Sequence, residues 1–323
     1  MSAVGLVLGG GGITGAAWEM AALMAIQMAT GWDPDDAEVV VGTSAGSFVA
    51  ALLRHEELTL DSLVHRGDSR EDVAERIANR LFVRKPGVAV GTWVRNGLLP
   101  GIRRPGVTLL LGSPAPFEAS GLANWVRDRI GDESGDAWPV APTVITAYDI
   151  RDRRRVAFGT TAAPPTGIAD AVAASSSIPV MFRPYEIGGR AYVDGGVASG
   201  THADLVLGSP RALDLVLVLA PMAAHEEREG ALFHERMFDR VGRTALEDEV
   251  RLIEEQWPGV DVVVLRPGPQ SLAAMRPNYM DPRAAVPSFV RTLIGMRRTL
   301  ARPDVWPVLQ RHLVRARRRA RAN

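Results

Sequence analysis

Val4 to Leu8 is an uninterrupted apolar run closed by four glycines, Gly9 to Gly12. Such a run predicts a strand buried on both faces, because a half-exposed strand would alternate polar and apolar positions. From Thr14 to Thr30 the pattern becomes helical, rich in Ala, Met and Leu, with neither Gly nor Pro after Gly15 until Gly31 stops it. Val39-Val40-Val41 predicts a second buried strand, and after Gly42 a new helix runs from Ala45 to about Arg54. Strand, helix, strand, helix in close succession is the pattern of a parallel sheet covered by helices.

Beyond about Leu58 the periodicity weakens until about Asp136. Helices are expected over Asp68 to Leu81 and Ser120 to Ile130. The stretch Trp93 to Leu111 places Val94, Leu98, Leu99, Ile102 and Leu109 to Leu111 among Arg95, Arg103 and Arg104. This region, about 58–136, reads as an insertion that forms either a lid or acyl-chain pocket or a helical subdomain completing the core. Order returns with a strand at Thr143 to Tyr148 facing Arg154 to Phe158 across a charged turn. A helix from Thr166 to about Ser175 follows, and Ser175-Ser176-Ser177 reads as its end. Tyr185 to Ile187 and Ala191 to Val193 flank Gly188-Gly189 as a hairpin. Leu213 to Leu219 and Val260 to Leu265 are strand-like, with a long charged helix, Ala231 to Gln256, between them. The end, about 285–323, is helical and finishes in arginines. With no internal repeat or low-complexity linker, residues 1–323 are expected to form one domain.

Composition removes several function classes. Lys plus Arg and Asp plus Glu are 37 each, so no global field attracts nucleic acid, and none is expected as a partner. The absence of cysteine excludes a thiolate nucleophile, a disulfide framework and a thiolate metal site. Asp33-Pro34-Asp35-Asp36 lacks calcium-loop spacing, and no histidine pair has zinc-helix spacing. No metal or cofactor is therefore expected. The N-terminus carries no secretory pattern, which makes a cytoplasmic protein the expectation. Arg311, Arg315, Arg317, Arg318, Arg319 and Arg321 at the other end offer either a solvated helix end or peripheral contact with an anionic membrane.

Three segments carry chemistry. Gly42-Thr43-Ser44-Ala45-Gly46 has the spacing of a nucleophile elbow, with Ser44 at a strand-to-helix turn and glycines where backbones approach closely. Gly9 to Gly12, with Gly15, leaves backbone N–H groups free to converge on an anion. Two readings of that loop stand: an oxyanion hole, or a dinucleotide loop, whose pattern Gly10, Gly12 and Gly15 satisfy. The second requires an acidic residue at the end of the next strand, whereas Asp33, Asp35, Asp36 and Glu38 all precede that strand. Asp194-Gly195-Gly196 follows the second hairpin strand and offers either a base or a plain Asp-Gly turn.

In this order the three segments resemble the patatin-like phospholipase family, as does the stretch Ala171 to Pro179 leading toward Asp194. The resemblance covers about residues 4–55 and 143–200. It implies a three-layer α/β/α fold with a mainly parallel central sheet. It also implies acyl ester hydrolysis on phospholipids, lysophospholipids or neutral lipids by a Ser–Asp dyad. Ser44 is then the nucleophile, Asp194 the base, and the amides of Gly10, Gly11 and Gly12 the oxyanion donors, supported by Gly15, Gly42, Gly46, Gly195 and Gly196. One departure is Thr14, where the family usually carries Arg or Lys; its absence favours a neutral ester over a charged phospholipid. An aspartate base at neutral pH needs burial to raise its ordinary pKa of about 3.9, and the apolar strand before Asp194 suits that. Of the six histidines, His202 alone fits a Ser–Asp–His order, which leaves a triad as an alternative to the dyad. A nucleotide-binding protein and a catalytically silent recognition protein are the readings from other classes.

Overall fold

The computed structural model describes residues 2–59, 67–87, 90–98, 110–131, 137–224 and 233–314. Leu99, Ile102, Leu109, Arg103 and Arg104 of the insertion lie outside them, as do the terminal arginines from Arg315 onward.

The first strand, β1 (Val4–Leu8), is buried at every position. Helix α1 (Gly12–Thr30) returns the chain to β2 (Val39–Thr43), and α2 (Ala45–Arg54) follows. The insertion contributes α3 (Arg70–Leu81) and α4 (Ser120–Ile130). Helix α3 begins two residues later than the pattern suggests because Ser69 caps it reciprocally with Asp72. The remaining elements are β3 (Thr143–Asp149), β4 (Arg154–Phe158), α5 (Ile168–Ser175), the hairpin β5 (Tyr185–Ile187) and β6 (Arg190–Asp194), and β7 (Leu215–Leu219). Helix α6 (Phe233–Gln256), β8 (Asp261–Leu265), α7 (Pro269–Met275) and α8 (Ala285–Leu300) complete the set used below.

The sheet order is β8-β7-β1-β2-β3-β6-β5, with β4 also on β3. From β8 to β3 all pairs are parallel, and β4, β5 and β6 add antiparallel pairs at one side. Strand alternation sends side chains into two separate cores. Leu6, Leu8, Val40, Leu217 and Leu219 join Phe48 and Leu52 of α2, Val172 of α5 and Met296 of α8. Val7, Val39, Val41, Val216 and Val218 join Leu246 and Ile253 of α6. Helices on both faces of a mainly parallel sheet make the three-layer arrangement. Helix α1 is apolar nearly all round because α8 covers its outer side, so it behaves as a core helix rather than an amphipathic one.

The register along β3 positions the site. Thr43 of β2 pairs with Thr146, and Asp194 of β6 pairs with the next residue, Ala147. Because β4 occupies the other edge of β3 at these positions, β2 and β6 lie end to end on one edge, running in opposite directions. Their C-terminal ends therefore meet. Ser44 leaves one end and Asp194 terminates the other.

Candidate active site

Ser44 sits between β2 and α2 with φ 52° and ψ −117°, a left-handed conformation that a serine adopts only under constraint. The constraint is visible. The Ser44 N–H donates to Ser175 Oγ at 2.8 Å, and its carbonyl accepts from Ser47 Oγ at 2.6 Å and Ser176 Oγ at 3.3 Å. Gly46 allows the turn to close: a Cβ there would stand 2.1 Å from the Leu8 carbonyl oxygen, and the Gly46 amide donates to Gly9 O at 3.1 Å. Gly42 faces the same crowding, with a Cβ 2.7 Å from Gly46 O.

Asp194 is buried, and its carboxylate accepts the Gly196 N–H at 2.7 Å. Burial pushes its pKa up to about 7, against the smaller lowering effects of the nearby Ser44 side chain and the Gly196 amide. The Asp194 N–H donates to the Ser177 carbonyl at 3.0 Å. The end of α5 thus holds both partners: Ser175 and Ser176 fix the backbone of Ser44, and Ser177 fixes that of Asp194. A run of three serines gave no sign of this role, since its contacts lie on distant segments.

The glycine loop lies against the same point. Gly10 sits with its Cα face 3.4 Å from Ser44 Cβ, measured from where a Cβ would be. Its amide, expected to be free, donates to the Gly200 carbonyl at 2.7 Å and is not available to a ligand. Among the described residues no hydrogen bond engages the amides of Gly11, Gly12 or Ala45. Gly12 has φ 59°, and the Gly15 amide returns to Gly11 O at 2.8 Å, so the loop tightens directly into α1. Thr14 is fully buried, and its N–H donates to Tyr279 O at 3.1 Å, which braces the loop with the segment before α8.

Two buried groups stand behind these. Glu19 of α1 is completely buried with no hydrogen bond of ordinary geometry; the Gly9 amide, already bound to Leu219 O, is a weak partner. Burial pushes its pKa well above the ordinary glutamate value. The second group is a network under the Asp-Gly-Gly turn. His202 Nε2 lies 3.0 Å from Gly195 O, and burial lowers the His202 pKa to about 4. The neutral ring donates that proton to the carbonyl and makes no hydrogen bond to Ser44 among the described residues. His202, Asp204 and Glu249 bring ligand-type atoms within 4.8 Å of one another. Arg155 already pairs with Asp204, however, and Glu249 accepts Thr201 Oγ1 at 2.6 Å and the Ala203 N–H at 2.8 Å. Elsewhere Arg311 pairs with Asp261 at 2.7 Å, and among the described residues no helix is long and apolar enough to cross a membrane.

Residues 6–207 match the family model described as Patatin-like phospholipase. The chain belongs to the patatin-like phospholipase family. At family level that makes it a lipid acyl hydrolase, with the mainly parallel three-layer sheet described above. No curated protein matches the chain. Among solved structures it is similar to VipD from Legionella pneumophila at 12% identity and a TM-score of 0.36, over 96% of this chain and 67% of that one.

Proposed function

We propose that this patatin-like protein hydrolyses carboxylic esters through an acyl-enzyme on Ser44, with Asp194 as its sole proton acceptor and donor. The observation that carries the reading is the placement of Ser44 and the buried Asp194 at the meeting ends of β2 and β6, lining one cavity, where burial raises the Asp194 pKa to about 7. A base poised near the working pH is ionised often enough to accept a proton and holds it weakly enough to return it.

Ser44 Oγ attacks the ester carbonyl carbon as its proton passes to Asp194. The negative charge that forms on the carbonyl oxygen is held by the unengaged amides of Gly11 and Gly12, joined by Ala45 N–H at the start of α2. Collapse breaks the bond to the alcohol oxygen, which takes the proton from Asp194. Water then gives a proton to Asp194 as its oxygen attacks the acyl-enzyme, and Ser44 recovers its proton as the acid leaves. The constrained elbow fixes the backbone of Ser44, which limits the reorganisation needed at that step.

Labelling with a fluorophosphonate, followed by peptide mass spectrometry, tests the assignment. The modification is expected on Ser44 and absent in Ser44→Ala. Labelling of Ser44→Ala at the wild-type rate would remove the nucleophile from this account.

A further inference from the structure

Two cavities meet at Ser44, and they are unlike each other. One, of about 90 Å³, is lined by Ser44, Ala45, Met20, Leu122, Phe48 and Trp125. The last two rings pack with centroids 5.0 Å apart, and the Arg80 guanidinium stacks on Trp125 at 5.8 Å. The other, of about 530 Å³, holds Asp194 and is walled by Phe117, Val180, Met181, Met222 and Tyr279. Gly12, Ser44, Ile178 and Met280 line both, forming the waist between them.

Resting on the hydrolase reading above, we propose that the substrate is an uncharged ester with a short-to-medium acyl chain and a bulky, apolar alcohol part. Chemistry assigns the two cavities. The alcohol oxygen must receive its proton from Asp194, so the leaving group lies in the chamber that contains Asp194, and the acyl chain lies in the other. The inner cavity, lined by apolar side chains and several times smaller than the outer chamber, favours a short-to-medium acyl chain. The outer chamber is several times larger, and its apolar walls favour an alcohol portion of corresponding size.

Charge decides the headgroup. Among the described residues lining the outer chamber there is no Lys, Arg or His, and Asp194 is its carboxylate. A phosphodiester there would find no cation to pair with among the described lining residues and would face the negative charge of ionised Asp194. A glyceride or a simple alcohol ester meets neither penalty.

The test uses the full-length wild-type enzyme on two matched series. With p-nitrophenol as constant leaving group, acyl chains of four to sixteen carbons are compared. The specificity constant is expected to peak at about eight carbons or below and fall at least about tenfold by sixteen. With the octanoyl group constant, monooctanoylglycerol and an octyl ester are compared with octanoyl-lysophosphatidylcholine below its micelle concentration. The uncharged esters are expected to be preferred at least about tenfold. In Met20→Ala and, separately, Trp125→Leu, the optimum is expected to move to longer chains. Palmitoyl esters cleaved as well as octanoyl ones, or the lysophospholipid cleaved as well as the glyceride, would overturn the proposal. If Ser44 labels with fluorophosphonate in that case, only the substrate assignment falls. Absence of both labelling and hydrolysis across the panel would bring down the hydrolase reading along with it.

Discussion

Replacing Asp194 by asparagine should stabilise the protein while removing its activity, and the size of the gain follows from the burial of the carboxyl group. The Asp194 pKa is about 7 in the folded chain against 3.8 for the free side chain. Between those values the folded state holds a proton that the unfolded state has lost, so wild-type stability falls as pH rises. The slope from this group is about 1.4 kcal/mol per pH unit, and over roughly three units the loss reaches about 4 kcal/mol, complete above pH 7. Asparagine carries no such cost, and its side-chain oxygen still accepts the Gly196 N–H that now bonds Asp194. Urea unfolding of wild type and Asp194→Asn at pH 4, 6 and 8 measures the difference. The stability of the variant relative to wild type should rise by about 4 kcal/mol between pH 4 and pH 8. A difference that stays flat with pH, or shrinks, would refute the claim that Asp194 is an ionised carboxylate held in an apolar place.

Other outcomes follow from the same structure. Ser44 acylation should increase as pH rises through about 7 and then level off, because the protonated aspartic acid cannot accept the Ser44 proton; rates constant from pH 5 to 8 would count against the base. Ser175→Ala leaves the buried Ser44 amide without its acceptor. It should cost about 1–3 kcal/mol in thermal or urea unfolding and slow acylation together. Glu19→Gln removes a carboxyl group whose pKa burial raises, so its stability gain over wild type should grow with pH while Ser44 labelling persists. Equal pH profiles for Glu19→Gln and wild type would show that Glu19 is not buried as described.

Much of the fold was readable along the chain because its signals are local. Buried valine runs, glycine stops and Asp-Gly or Gly-Gly turns report on a few neighbouring residues, and β1, β2, α2 and α4 lie where the pattern puts them. The three chemical segments were legible for the same reason. What joins them was not. Ser44 meets Asp194 because β2 and β6 share one edge of β3, a register set by long-range pairing that no local pattern encodes. The Gly10 amide looked free in sequence and is taken by Gly200, which is adjacent only in space. The burial of Glu19 was not legible either, because the covering helix α8, which buries α1 from outside, comes from the far end of the chain. His202 fitted a triad by chain order, yet the αL backbone at that residue accompanies a ring placed on Gly195 O rather than on Ser44.

The most direct test of the dyad compares three proteins at pH 8: wild type, Asp194→Asn and His202→Gln. The second-order rate of fluorophosphonate attachment to Ser44 is measured in each. Asp194→Asn is expected to lose at least about a hundredfold, the lower end of what general-base catalysis supplies, and His202→Gln to stay within about tenfold of wild type. Loss of labelling in His202→Gln with retention in Asp194→Asn would contradict the account, for the histidine and not the aspartate would then be the base.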